Sequence, residues 1–496
     1  MKAFPCPSDS CITQRVNTLP VNRTYRGADL RDLRNVAQRA LTRAAGAPLI
    51  EGNAVRLLLD AAENYPAWLA AINDARSAVF FENYIIRDDT TGLLFRDALV
   101  ERAQAGVAVR VMQDWLGSLG TGRKFWGPLV NAGGIVRIHN PGRWDSPLAW
   151  MSRDHRKSLV IDGRIGFVSG LCVSDVWNGD LGRNIEPWRD TGVELRGPVC
   201  ADLVRAFAQV WDENGRPLSA DLLEFPEAFP VGDIAVRVLA TAPNLAGVYR
   251  MDLLIAAMAV RRLWLTDAYF AGVPAYVQAL RSAAHDGVDV RLLVPGGSDL
   301  PWLRPLSTAG YRPLLEAGVR VFEWNGSMLH AKTAVADGRW ARVGSTNLNI
   351  ASWLNNWELD VAIEDENFAL QMEAAYKRDL AHSTEVVLRR QKRIRLKTEE
   401  EPPRSRPGGG SIVRAAAGAI RIGRTVGAAV LNHRVLGRAE AKPLAIAALV
   451  PSGLAIIAFV FPYLVAWPIA IVMAWFGATL LLRALRLRSS GSNKEK

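Results

Sequence analysis

Apolar residues in this chain fall in short runs separated by amphipathic stretches. Ala54-Val55-Arg56-Leu57-Leu58-Leu59 and Ala78-Val79-Phe80-Phe81-Glu82-Asn83-Tyr84-Ile85 have the length and bulk of strands, the second continuous enough to be buried on both faces. A helix is predicted from about Leu93 to Ala105, stopped by Gly106, a residue that tolerates the left-handed backbone of a helix C-terminus. Val107-Ala108-Val109-Arg110-Val111 then gives the next strand. The pattern returns later: Ala98-Leu99, Gly106-Val107 and Val109-Arg110 recur as Ala279-Leu280, Gly287-Val288 and Val290-Arg291 at a constant offset of 181. Alternating strands and helices predict an α/β fold, with helices covering a mainly parallel or mixed sheet. The repetition predicts two pseudo-symmetric halves, 46–220 and 230–395, joined near Pro226, Pro230 and Gly232. Residues 1–45 form a polar extension with a helical stretch near Asp29 to Ala45.

Each half carries the same polar insertion in a strand-like run. His155-Arg156-Lys157, Asp162 and Ser169-Gly170-Leu171-Cys172 match Leu329-His330-Ala331-Lys332, Asp337 and Gly344-Ser345-Thr346-Asn347 at identical spacings. Strand alternation puts His and Lys, two apart, on one face. Two copies therefore offer two imidazoles and two ammoniums to one phosphate. Asp162 and Asp337 each precede Gly and read as turn residues that bind nearby backbone. Neither half owns a complete set, so the site is expected where the halves meet.

With Arg153-Asp154-His155-Arg156-Lys157, Trp188-Arg189-Asp190-Thr191 and Asn356-Trp357-Glu358-Leu359, the doubled His-x-Lys-x4-Asp pattern over roughly 50–395 resembles the phospholipase D superfamily, in its bacterial cardiolipin synthase branch. The resemblance implies two phospholipase D-like halves about a pseudo-twofold axis and metal-free chemistry, with no cofactor. One His attacks phosphorus and the other serves as acid and then base. It assigns His155 as nucleophile and His330 as acid/base, with Lys157, Lys332, Ser345 and Asn347 around the phosphoryl oxygens and Asp162 and Asp337 completing the motifs. A nucleophilic imidazole also needs a carboxylate to fix its tautomer. Asp190 and Glu358 occupy the family positions for this, and the sequence leaves open which serves which histidine. The chain departs from the family at Cys172, where an Asn is usual.

Composition adds a location. The chain of 496 residues has a formal net charge of +11, with Lys and Arg outnumbering acids between Lys377 and Lys442. Such an arm attracts anionic surfaces. Arg404 to Ser411 reads as a linker, and Arg414, Arg421 and Arg424 fit a helix lying on an anionic membrane (396–442). From Pro443 to Leu482 there is no charged residue, His, Asn or Gln. One crossing takes about 20 residues, so 443–484 is expected to be a transmembrane hairpin turning at Pro462. Basic residues at both ends place them in the cytoplasm, which puts the catalytic halves on the cytoplasmic face of the inner membrane. Several of the sixteen tryptophans, Trp115, Trp126, Trp144, Trp150 and Trp177, suit a mouth meeting lipid headgroups. Four cysteines are too few for a disulfide framework. The function expected is phosphatidyl transfer between phospholipids, with phosphatidylglycerol as donor and acceptor and cardiolipin as product. The alternatives are hydrolysis to phosphatidic acid, a nuclease and an inactive scaffold. A membrane anchor favours lipid over nucleic acid.

Overall fold

The computed structural model describes residues 27–141 and 152–388, apart from 181, 183–184, 225–228 and 300–303, together with scattered positions between 459 and 478. Contacts divide the chain into Met1–Leu41 and Thr42–Lys496. Helix α1 (Gly27–Ala45) begins in the first unit, and all that follows concerns the second.

Fifteen strands form one sheet among the described residues. The first half supplies β1 (Ile50–Leu59), β2 (Ala78–Asn83), β3 (Ala108–Asp114), β4 (Ile135–His139), β5 (Lys157–Ile161), β6 (Ile165–Ser169) and β7 (Thr191–Arg196). The second supplies β8 (Ile234–Thr241), β9 (Arg262–Thr266), β10 (Asp289–Pro295), β11 (Arg320–Trp324), β12 (Thr333–Ala336), β13 (Trp340–Gly344), β14 (Glu358–Glu364) and β15 (Ser383–Val386). From the centre outward, one side runs β1-β7-β6-β5-β2-β3-β4 and the other β8-β14-β13-β12-β9-β10-β11, with β15 added at the edge. The two orders correspond strand for strand, so the repeat seen in the sequence is a repeat of topology. β2, β3 and β4 are parallel, as are β9, β10 and β11, while the motif strands β5 and β12 run antiparallel beside them. This is the mixed α/β sheet the strand-helix alternation predicts.

The halves join through β1 and β8 at Ile50↔Val236 and Asn53↔Ile234, where the register shifts. The buried Asn53 amide fills the irregularity: Nδ2 donates to Ile50 O (2.8 Å) and Ile234 O (3.2 Å), and Oδ1 accepts from Val199 N (2.9 Å).

Helices cover both faces, which explains the continuous apolar runs of the central strands. Phe80 and Val160 pack with Leu203, Phe207 and Trp211 of the helix Cys200–Glu213, in a core that also takes Phe368, Met372 and Tyr376 of the helix Glu366–Ala381. Their neighbours Val79, Phe81, Leu159 and Ile161 face the other way, against α2 (Asp60–Asn73) and α3 (Thr90–Gln104).

Each motif strand ends in an Asp-Gly turn with φ positive at both residues: 51° and 64° at Asp162-Gly163, 53° and 67° at Asp337-Gly338. That geometry joins tight hairpins. Asp162 accepts the backbone N–H groups of Arg76, Ser77 and Ala78 (2.7–2.9 Å), and Asp337 those of Val260, Arg261 and Arg262 (2.7–2.9 Å). Both carboxylates therefore lock the motif hairpin to the start of β2 or β9, at the end of the strand away from the histidine. Their part in the motif is architectural.

The hairpin expected at 443–484 and the basic segment 396–442 lie outside the described residues, apart from isolated positions. Among the described residues no helix is long and apolar enough to cross a membrane.

Candidate active site

Both histidines sit just before their motif strands, on segments clipped to the opposite half. His155 N donates to Trp357 O (2.9 Å) and Trp357 N to Arg153 O (2.8 Å); His330 N donates to Arg189 O (2.7 Å) and Arg189 N to Met328 O (2.9 Å). These clips present to each histidine the carboxylate next along the partner segment. His155 Nδ1 lies 2.9 Å from Glu358 Oε2, and His330 Nδ1 lies 2.8 Å from Asp190 Oδ2. The pairing is crossed: the first half's histidine takes the second half's acid, and the reverse.

Glu358 is held by more than its histidine. Ser345 Oγ donates to the same Oε2 (2.6 Å), and Asn356 Nδ2 donates to Oε1 (3.2 Å). The Ser345 hydroxyl is thus engaged behind the carboxylate and is not free for a phosphoryl oxygen. In the first half the equivalent position is Gly170, where an added Cβ would come within 2.2 Å of Asp190 Oδ1. The shorter acid sits closer to the chain, and its support comes from Trp177 Nε1 (3.0 Å to Oδ2) and Thr191 N (2.8 Å to Oδ1). Trp126 is also buried and donates to Gln113 Oε1 (2.8 Å). These two indoles are internal donors and meet no headgroup, while Trp144 and Trp150 lie outside the described residues.

Burial above all depresses both imidazoles. His155 falls to about 4, with Glu358 opposing and Lys157 adding to the shift; His330 falls to about 3, with Lys332 adding and Asp190 opposing. Each histidine also feels the other motif's lysine, Lys332 at His155 and Lys157 at His330, so the two motifs share one electrostatic site. Burial alone would raise the two acids; pairing with the histidines, then the lysines and further donors, outweighs it and holds both below the usual carboxylate range. An ionised acid at Nδ1 places the ring proton there and leaves Nε2 with its lone pair. Burial also brings Lys332 down to about 8. Its Nζ lies 2.9 and 3.0 Å from the two ring nitrogens of His330, and Lys157 Nζ donates to His155 O.

Several participants escaped the sequence reading. Tyr84 packs edge-on to His155 (centroids 4.9 Å) and Tyr269 to His330 (5.9 Å), with Lys157 and Lys332 5.0 and 5.8 Å from the respective tyrosine rings. Arg156, between His155 and Lys157, faces away from them. It donates to Glu358 O (3.1 Å), Ala206 O (2.6 Å) and Thr241 O (2.9 Å), tying the motif to both halves. Glu82 and Asp267 are fully buried, and Ser158 Oγ of β5 donates to Glu82 Oε2 (2.9 Å). Cys172 is buried among apolar side chains, whereas its counterpart Asn347 is buried with Oδ1 unpartnered.

Two duplicated halves, one sheet and paired His-x-Lys segments crossing acids at the join define a phospholipase D-type protein. The family described as "Cardiolipin synthase, PLD-like domain" matches residues 254–380. The chain is 33% identical over 357 residues to cardiolipin synthase A of Pseudomonas putida, covering 71% of this chain and 73% of that one. It is 34% identical over 355 residues to cardiolipin synthase A of Pseudomonas fluorescens strain SBW25 (70% and 73%). In fold it is similar to the crystal structure of phosphatidylserine synthase from Haemophilus influenzae Rd KW20, at a TM-score of 0.56 and 15% identity over 71% of this chain and 92% of that one. The chain belongs to the phospholipase D superfamily, in its cardiolipin synthase family.

Proposed function

We propose that this chain is a phosphatidyltransferase that joins two phosphatidylglycerol molecules into cardiolipin and releases glycerol. The crossed His155–Glu358 and His330–Asp190 pairs carry the reading, because they prepare two imidazoles of one electrostatic site in the tautomer that exposes Nε2. His155 Nε2 attacks phosphorus; the P–O bond to the donor's glycerol breaks as His330 Nε2–H protonates the departing oxygen. A phosphatidyl-His155 intermediate remains. His330 then takes the proton of the acceptor's hydroxyl, which attacks phosphorus and frees His155.

In the empty site both rings are neutral at pH 7. The arriving phosphodiester anion favours the protonated form of a nearby imidazole, so the acid is made on binding. Lys157 and Lys332 balance the phosphoryl charge, Asn347 donates from the second half, and Ser345 acts through Glu358.

The apolar run 443–482 would hold the enzyme in the inner membrane, its catalytic halves at the cytoplasmic face, with the basic segment 396–442 on anionic headgroups. Halves at 46–220 and 230–395 and an extension at 1–45 complete the domain reading. Purified full-length enzyme given glycerol-labelled and acyl-labelled phosphatidylglycerol in vesicles tests it. Acyl-labelled cardiolipin with equimolar labelled glycerol supports transfer. Phosphatidic acid as main product moves the assignment to hydrolysis, and no lipid turnover sinks it.

A further inference from the structure

Arg153 carries donors that the protein does not use. The residue is 7% exposed, its Nη1 reaches Asp114 Oδ1 at 3.3 Å, and Nε and Nη2 have no hydrogen-bond partner. A guanidinium cannot shed its proton, and an unmade bond from a buried charged donor is costly. Asp114 is itself heavily engaged, accepting from Leu116 N (2.8 Å), Gly117 N (3.0 Å) and Asp154 N (3.0 Å).

A second idle donor lies in the same region. His139 ends β4, in register with Asp114. Asn214 Nδ2 lies 3.0 Å from His139 Nδ1 and also donates to Val210 O (2.7 Å), which fixes the amide's orientation. Nδ2 can only donate, so Nδ1 accepts and the ring proton sits on Nε2. That Nε2 is buried without a partner. Burial, then the charges of Arg153 and Arg156, push His139 down to about 3, so the ring stays a neutral donor.

Three buried N–H groups with no acceptor are what an anion would complete. The anion would lie beside the reaction centre. Arg153 is two residues before His155, about 7 Å along an extended chain, and its charge reaches Tyr84, whose ring touches His155. The second half has no equivalent, because the matching position is the buried Met328.

Joining two phospholipids requires the centre to accommodate two phosphates, the reacting one and the one the acceptor carries a glycerol's length from its attacking hydroxyl. We propose that Arg153, with His139, binds the phosphodiester of the acceptor lipid and so selects a phospholipid acceptor over water or an uncharged alcohol. The inference rests on the phosphatidyl-transfer reading. No bond to phosphorus forms at this subsite; it positions the acceptor, and the proton still passes to His330.

The test is a competition within one vesicle. Full-length enzyme acts on acyl-labelled phosphatidylglycerol mixed with a monoalkyl glycerol, which offers the same hydroxyls without a phosphate. Both products descend from one phosphatidyl-enzyme, so the ratio of cardiolipin to phosphatidyl-alkylglycerol reads acceptor choice alone. Arg153→Gln is expected to lower that ratio roughly tenfold or more, by the loss of charge-assisted hydrogen bonds to phosphate. Arg153→Lys should recover part of it, and His139→Phe, which keeps the ring, should shift it less in the same direction. Misfolding or general damage lowers both products together, so an unchanged ratio in Arg153→Gln overturns the subsite. Absence of both products with the wild-type enzyme would instead refute transfer itself.

Discussion

Replacing Glu358 with Gln removes one charge and leaves the shape. In the native site Oε2 receives His155 Nδ1 at 2.9 Å and Ser345 Oγ at 2.6 Å, and Oε1 receives Asn356 Nδ2 at 3.2 Å. Three donors converge on a group able only to accept. A glutamine has one accepting oxygen, so its NH2 must oppose either Asn356 or the His155–Ser345 pair. In the better orientation the long Asn356 bond is lost, and the bond to His155 remains but without its charge. In the worse one Nδ1 becomes an acceptor, the ring proton moves to Nε2, and the nucleophilic lone pair is gone. A hydrogen bond to a charged group is worth about 1.5–3 kcal/mol. At about 1.4 kcal/mol per tenfold in rate, kcat should fall between about 10-fold and 150-fold, with KM little changed. The assay is single-turnover release of labelled glycerol from phosphatidylglycerol vesicles. Glu358→Asp, which keeps the charge, should retain more activity than Glu358→Gln. If Glu358→Gln releases glycerol at the native rate, the crossed acid does not prepare His155.

Other consequences are as direct. Gly170→Ala should lower activity at least as much as Asp190→Asn, because the new Cβ would meet Asp190 Oδ1 at 2.2 Å and push it off His330; steady-state kinetics of the two variants checks this. Asp162→Ala should cost stability, about 3 kcal/mol at about 1 kcal/mol per net hydrogen bond lost, read as a lower urea midpoint; unchanged stability would contradict the architectural role. Both histidines have folded-state pKa values depressed to about 4 and 3, so the unfolded chain binds protons more readily below its own value of about 6.5. Their stabilisation is complete above that pH and is lost as pH falls toward 4 and then 3. Thermal midpoints should decline over that range, and His155→Phe with His330→Phe should flatten the decline. Binding of an unreactive phosphodiester at pH 7 should take up a proton, measurable by calorimetry in buffers of different ionisation heat, and His330→Ala should abolish the uptake.

The duplication was legible because each half must build the same strand pattern, so the 181-residue offset and the repeated motif survive as apolar and polar spacing. Asp-Gly after each motif strand announced a tight turn for the same local reason. The crossing of the acids was not legible. Asp190 is nearer His155 in sequence than His330 is, and only the clips at Trp357 and Arg189 bring each acid to the opposite histidine. Ser345 looked like a phosphate ligand because the sequence names a hydroxyl without saying which way it points. Trp177 looked like a surface aromatic, yet its indole serves Asp190 inside the protein. Arg153 was visible only as part of a motif string, since unused donors become apparent when burial and partners are known.

In the proposed reaction one imidazole of the crossed pair becomes covalently phosphatidylated while the other moves protons. His330 serves both steps, as acid in forming the adduct and as base in its breakdown, so the adduct is sought in the native enzyme. Rapid quench of the native enzyme in a single turnover with acyl-labelled phosphatidylglycerol, followed by proteolysis at alkaline pH and mass spectrometry, locates it. An acid-labile phosphatidyl group is expected on the peptide bearing His155, and none in His155→Ala. An adduct on His330 in the wild-type enzyme, or cardiolipin formation by His155→Ala at the native rate, would contradict it.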